Sequence, residues 1–252
     1  MLTKLTLAAR HPQVALLRLA ARIEEKAVAR LKRHLDDDHE RQRSIRFLSE
    51  EYDCDASEYL EEYRRSMLFA ELVERSRSLN LRESSSPMDC ETLYLTVRAA
   101  KPTVVVETGV LHGAMTWHAL EALDLNGGGM VHSIDLPRPS DDAGPPLGVL
   151  IPERLRGAWH LHLGNSLTLL PDLLRELGEI HLFNHDSVHT VEHMLLEYAL
   201  AHASLVRGGT LCSHDVVHSE HYPNAFPLFA RSFEYRWMCC RNFGIARKVG
   251  PT

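Results

Sequence analysis

The chain has no C-x-x-C pair, no long apolar run and no surplus of basic residues. Its five cysteines are odd in number, and vicinal Cys239 and Cys240 are poor partners for each other. That pattern excludes a disulfide-stapled scaffold and implies reduced thiols in a cytoplasmic protein. No uninterrupted apolar stretch approaches the ~18 residues of a membrane-spanning helix. Arg10, His11 and Arg18 also interrupt the N-terminal apolar stretch that a secretion signal would need. Lys plus Arg number 28 against 34 Asp plus Glu, a net charge of −6, so a general nucleic-acid binder is not expected. Internal repeats and low-complexity tracts are missing as well.

What is present is a chain of 252 residues, 44% hydrophobic, enough for one large domain or a domain with a helical appendage. Histidine is abundant: sixteen in all, eight of them between His181 and His221.

Residues 1–35 are basic and amphipathic. Leu16, Leu19, Ala20, Ile23, Ala27, Leu31 and Leu35 recur at helical spacing opposite Arg18, Arg22, Lys26, Arg30 and Arg33. The expected role is packing on the body of the chain, with contact to a membrane surface as the alternative. A second helical stretch covers 57–79, with Ser57 as its N-cap. Ser84-Ser85-Ser86-Pro87 reads as a linker, which divides a helical region over 1–83 from a second domain over 84–252. From residue 103 onward, buried strands at 103–107, 130–135, 159–164, 180–186 and 209–215 alternate with helices near 114–124, 166–177 and 190–206. That alternation predicts a parallel sheet wrapped by helices, with ligands bound beyond the carboxyl ends of the strands.

The strand ends carry the polar residues of interest. After the first comes Glu107-Thr108-Gly109-Val110-Leu111-His112-Gly113, whose glycines permit a sharp turn and close approach of backbone to a ligand. This is not the G-x-G-x-x-G of dinucleotide binders. After the second stands Asp135, a carboxylate suited to a ribose diol. After the third, Asn165 or Ser166 meets an adenine edge or caps the next helix. The last two strands end in His185-Asp186-Ser187-Val188-His189 and His214-Asp215-Val216-Val217-His218, both of the form H-D-x-V-H. With an unperturbed pKa near ~6.5, His189, His214 and His218 are candidate general bases. His160, His162 and His181 fall inside strands, where packing is the expected role; Glu192 and His193 are expected to be structural on the following helix. The loop SEHYPNAFPLF is placed over the substrate through His221, Tyr222 and Phe226, and YRWMCCRNFGIARKVG reads as a final antiparallel hairpin with Trp237, Cys239 and Cys240 at the core.

The strings VVVETGVLHGAMTWHAL, HSIDLP and GNSLTLLPDLL resemble the nucleoside-binding motifs of class I S-adenosylmethionine-dependent methyltransferases. IHLFNHDSVHTVEHMLLEYALAHASLVRGGTLCSHDV is similar to the part that follows in small-molecule O-methyltransferases of the catechol and macrolide-sugar type. The resemblance spans residues 88–250 and implies an α/β fold with a doubly wound, mostly parallel seven-stranded sheet. It implies S-adenosylmethionine as cofactor, with Glu107, Thr108, Gly109 and Gly113 at its methionine part, Asp135 at the ribose and Asn165 and Ser166 beside the adenine. Metal-dependent relatives hold a divalent cation, usually magnesium, with carboxylates at the last two strand ends. Asp186 and Asp215 match those positions, Asp186 also bordering the cofactor, and His214 stands where relatives often have a second acid. Imidazole suits zinc or manganese better than magnesium, so His214 lies outside the metal shell, or the ion is softer, or none binds.

The implied activity is methyl transfer to a hydroxyl of a small molecule, a sugar or secondary metabolite, by a cytoplasmic enzyme without nucleic-acid partner and with a homodimer as one possible assembly. The alternatives are a metal-dependent hydrolase or oxygenase built on the H-D-x-V-H motifs, a non-catalytic nucleoside-binding relative, and a membrane-peripheral enzyme acting on a lipid-linked glycan.

Overall fold

The computed structural model describes residues 37–81, 85–138, 144–216 and 225–250. Helices α1 (Asp37–Tyr52), α2 (Ala56–Ser66), α3 (Leu68–Ser78) and α4 (Pro87–Ala100) precede the sheet. Then come β1 (Val104–Thr108), α5 (Ala114–Leu125), β2 (Met130–Asp135), a 3-10 helix (Glu153–Ala158) and β3 (Trp159–Leu163). They are followed by α6 (Ser166–Leu177), β4 (Ile180–His185), α7 (Val191–Ser204), β5 (Leu205–Ser213), α8 (Ala225–Ser232), β6 (Tyr235–Cys240) and β7 (Phe243–Lys248). The basic N-terminal stretch, the Ser84 linker position, His218, His221 and Tyr222 lie outside the described residues.

The sheet has seven strands in the order β3-β2-β1-β4-β5-β7-β6. β1 to β5 run parallel and β7 is antiparallel to both β5 and β6, as the alternation and the terminal hairpin predict. Parallel strands are covered on both faces, which is why β1 reads as the near-continuous apolar run Val104-Val105-Val106. The strand order reverses between β1 and β4, and a crevice opens there beyond their carboxyl ends.

Two apolar clusters sandwich the sheet. One joins α1 to α5 through Leu48, Leu60, Leu72, Tyr94 and Leu120 to Val105 and Leu182. The other joins α6, α7 and α8 through Leu170, Tyr198 and Phe226 to Val106 and Phe183. The helices before residue 83 therefore share a core with α4 and α5, and the change at the linker is a change of layer. Among the described residues, no helix is long and apolar enough to cross a membrane. None of the five cysteines is in a disulfide.

Four local features differ from the sequence reading. The single helix over 57–79 is two, because Met67 turns left-handed at φ 58° between α2 and α3. Its N-cap is Asp55 rather than Ser57, since the Asp55 carboxylate accepts from the Ser57 amide at 3.0 Å. β5 starts four residues earlier than 209 and stops at Ser213, because Asp215 sits at φ 54°, which no strand tolerates. Phe226 is no lid residue: it is fully buried against Gly244 and the Tyr198 ring.

Candidate active site

A cavity of about 380 Å³ opens at the carboxyl ends of β1, β2, β4 and β5. Its floor is the loop after β1. Gly109 takes φ +87°, and a Cβ there would lie 2.1 Å from the Asp186 carbonyl oxygen, so only glycine lets this loop pass under β4. Asp135 anchors the loop from β2: its Oδ2 accepts from the Val110 and Leu111 amides at 2.8 and 3.0 Å. Oδ1 accepts from the Leu136 amide at 2.7 Å and retains acceptor capacity toward the cavity. On the third side, Asn165 caps α6 by accepting from the Leu167 amide at 3.0 Å, and Ser166 lies 3.0 Å from His193 Nε2.

Three residues expected at the cofactor do not line the cavity; they build its walls. Glu107 is buried and accepts from Thr116 and Ser133, both at 2.6 Å, and burial pushes its carboxyl up to about 7. Thr108 donates to Glu197 Oε2 at 2.6 Å. Gly113 is the left-handed N-cap of α5, pressed against Gly148 and Ile151. Their side-chain chemistry was assigned to the cofactor because the loop is; the strand's alternation instead turns Glu107 inward.

The two H-D pairs converge. His214 is clamped between carboxylates, Nδ1 at 2.9 Å from Asp186 Oδ1 and Nε2 at 2.9 Å from Asp89 Oδ2. Burial alone would lower its pKa, but the hydrogen bonds to Asp186 and Asp89 prevail and raise it to about 11. Such an imidazolium has no lone pair to give. In this arrangement both His214 nitrogens face carboxylates, and the clustered ligand atoms are those of Asp186, His189 and Asp215 rather than of His214.

His189 is the opposite case. Nε2 lies 3.1 Å from Asp215 Oδ2 and 3.8 Å from Asp186 Oδ1. Burial holds its pKa below the ordinary histidine value despite the nearby Asp215, so the ring is neutral near pH 7. Nδ1 is enclosed without a hydrogen-bond partner among the described residues, leaving Nε2 as the working nitrogen. One ligand atom each from Asp186, His189 and Asp215 lie within 4.8 Å of one another, a donor set fit for a divalent cation. Asn242 donates to Asp215 from the β6–β7 turn.

Behind this cluster, Glu197 of α7 gathers His185 Nδ1 at 2.6 Å, His193 Nε2 at 2.8 Å and Ser187 at 2.9 Å. Burial opposes ionisation of Glu197, yet the hydrogen bond and charge of His185, with Ser166 and Thr108, bring its pKa down to about 2. His193 is therefore more than structural filler, since it borders the cavity and ties Ser166 to this carboxylate. Asp89 and Glu197 carried no signal in the sequence. Asp89 looks like the third residue of a helix whose Ser86 cap accepts from its amide at 3.1 Å, and only the fold brings it to His214.

Residues 106–216 match a family model described as a methyltransferase domain. Over this span the chain resembles a methyltransferase domain. The chain also resembles solved methyltransferases in fold. The O-methyltransferase of Bacillus cereus in complex with SAH shares 16% identity at a TM-score of 0.54, over 73% of this chain and 90% of that one. The O-methyltransferase TomG of Streptomyces achromogenes, involved in tomaymycin synthesis and in complex with SAM, shares 15% at 0.53, over 73% and 90%. The methyltransferase MycE of the mycinamycin biosynthetic pathway, in complex with Mg, SAH and mycinamycin VI, shares 13% at 0.51, over 71% and 55%. At these identities the likeness is one of fold. No curated protein matches the sequence. The doubly wound sheet expected from the strand-end motifs is the fold of these structures, and the expected enzyme class agrees with the family model.

Proposed function

We propose that this methyltransferase carries the methyl group of S-adenosylmethionine to a hydroxyl of a small molecule, a sugar or secondary metabolite, in a cytoplasmic setting that suits its free thiols. One observation carries the reading: a neutral His189, flanked by Asp215 and Asp186, faces the same cavity as the Gly109 loop and the Asp135 carboxylate. Bound there, the cofactor supplies an electrophilic methyl on a sulfonium. Asp135 is placed to hold the ribose diol, and Asn165 with Ser166 the base. The acceptor hydroxyl must lose its proton as its oxygen attacks, and the hydrogen-bonded His189–Asp215 pair is placed to receive it. Asp215 and Asp186 then stabilise the imidazolium that results.

A divalent cation held by Asp186 and Asp215 would supply Lewis acidity to the acceptor oxygen. His189 Nε2 cannot serve at once as ligand and base. A hard ion such as magnesium leaves the imidazole free, whereas zinc claims it. Magnesium is accordingly expected to support turnover and zinc to inhibit it.

The test is calorimetric titration of S-adenosylhomocysteine into metal-stripped full-length protein, alone and with magnesium, manganese or zinc. Micromolar binding that Asp135→Ala weakens by roughly 10- to 100-fold, the loss of a charge-assisted pair of hydrogen bonds, supports the reading. Absence of binding under every condition sinks it, and tight metal binding without it would favour a metal-dependent hydrolase.

A further inference from the structure

We propose that His132, His160 and His162 form a second metal site, for a divalent d-block cation of the zinc type, on the open edge of the sheet. His160 and His162 are the H-x-H of β3, and strand alternation puts both on one face. β3 is the edge strand, and its register on β2 sets His160 opposite His132. The three rings lie together: His132 is stacked at 4.9 Å on His160 and at 5.6 Å on His162. His132 Nδ1 and His162 Nε2 are 3.3 Å apart. Two imidazoles bound at ~2.1 Å to one tetrahedral ion stand roughly 3.4 Å apart, so this pair is already spaced for a shared ion. His160 is exposed, with its ring stacked on His132, and would supply the third nitrogen on turning toward the pair.

The surroundings favour a metal over packing alone. Burial, with repulsion from the neighbouring histidines, keeps His132 and His162 below the ordinary histidine pKa, so their lone pairs are available at neutral pH. Glu176 of α6 is the carboxylate whose field reaches both rings, and it is exposed and able to join the shell. The site is separate from the cavity, because His132 precedes Asp135 by three residues, about 10 Å along a strand. Its imidazole nitrogens favour zinc, nickel or copper over magnesium, the reverse of the Asp186 and Asp215 pair. An ion there would tie the edge strand β3 to β2.

The experiment titrates Zn²⁺ into untagged, metal-stripped full-length protein against a chromophoric chelator, with melting followed in parallel. Wild type should bind a Zn²⁺ equivalent that persists in Asp186→Asn/Asp215→Asn, disappears in His160→Ala/His162→Ala, and is unaffected by millimolar Mg²⁺. In the Asp186→Asn/Asp215→Asn background, where only the edge site remains, Zn²⁺ should raise the melting temperature and lose that effect once His160→Ala/His162→Ala is added. The variant His160→Asn/His162→Asn, which keeps polar side chains on the strand, guards against loss of fold and should behave likewise. Full retention of the equivalent in both histidine variants overturns the proposal, as does a wild type whose Zn²⁺ binding vanishes with the two aspartates.

Discussion

His189 and His214 differ by which nitrogens their neighbours have already taken, and that difference assigns their chemistry. His189→Ala should lower kcat by about 10²- to 10⁴-fold, the usual worth of a general base, while S-adenosylhomocysteine affinity stays within twofold or so. A matching loss of affinity would make His189 a binding residue instead. Asp89→Asn leaves His214 with one anionic partner. It should lower kcat and shift the pH profile of kcat while leaving KM for the cofactor unchanged; a profile identical to wild type would reduce Asp89 to packing. The sequence made Asp186, Asp215, His189 and His214 legible as a group, because all four follow strands in a repeated motif. It did not separate the roles of the two histidines, since the deciding carboxylate, Asp89, lies 125 residues from His214. Glu107 misled for a related reason. Its place in a ligand loop is visible in the sequence, while its inward aim at Ser133 and Thr116 depends on register.

Secondary structure was legible where periodicity and burial agree. The five parallel strands and α5, α6 and α7 are where the apolar runs put them, and the errors sit at ends governed by one residue's backbone. Met67 is such a residue: left-handed, 60% exposed and without a side-chain cap to offer. Met67→Gly should therefore raise stability by up to ~1 kcal/mol in urea titration, as relief of the left-handed penalty outweighs glycine's entropy. The turn after β1 is the reverse case. Gly109→Ala forces a Cβ into the Asp186 carbonyl, so it should abolish cofactor binding and destabilise by more than about 1 kcal/mol. Ordinary binding by that variant would mean that the loop is not the cofactor's floor.

At the scale of the whole molecule, two buried carboxyls tie stability to pH in opposite senses. Glu197, with a folded pKa of about 2 against an ordinary 4.5, stabilises the fold above pH 4.5 and loses that contribution as pH falls toward 2. Glu107, raised from 4.5 to about 7, holds its proton longer when folded, so its contribution fades as pH rises between those values. Across that window the loss amounts to about 3 kcal/mol. Glu107→Gln keeps both hydrogen bonds and should remove this decline, which chemical denaturation at pH 4.5 and 8 would read; an unchanged slope would refute the assignment. The fold class was legible from strand and helix alternation, whereas the layering of α1 to α3 onto α4 was not, because amphipathic helices do not name their partners. That layering has a consequence for biosynthesis. α4 carries Asp89 and leaves the ribosome long before His214, so the charge pair that fixes the site forms only after β5 has joined the sheet. Until then the nascent chain already holds the Gly109 loop and Asp135 but not the His214–Asp89 pair, so on the proposed reading the nucleoside-binding residues are translated before the site is fixed.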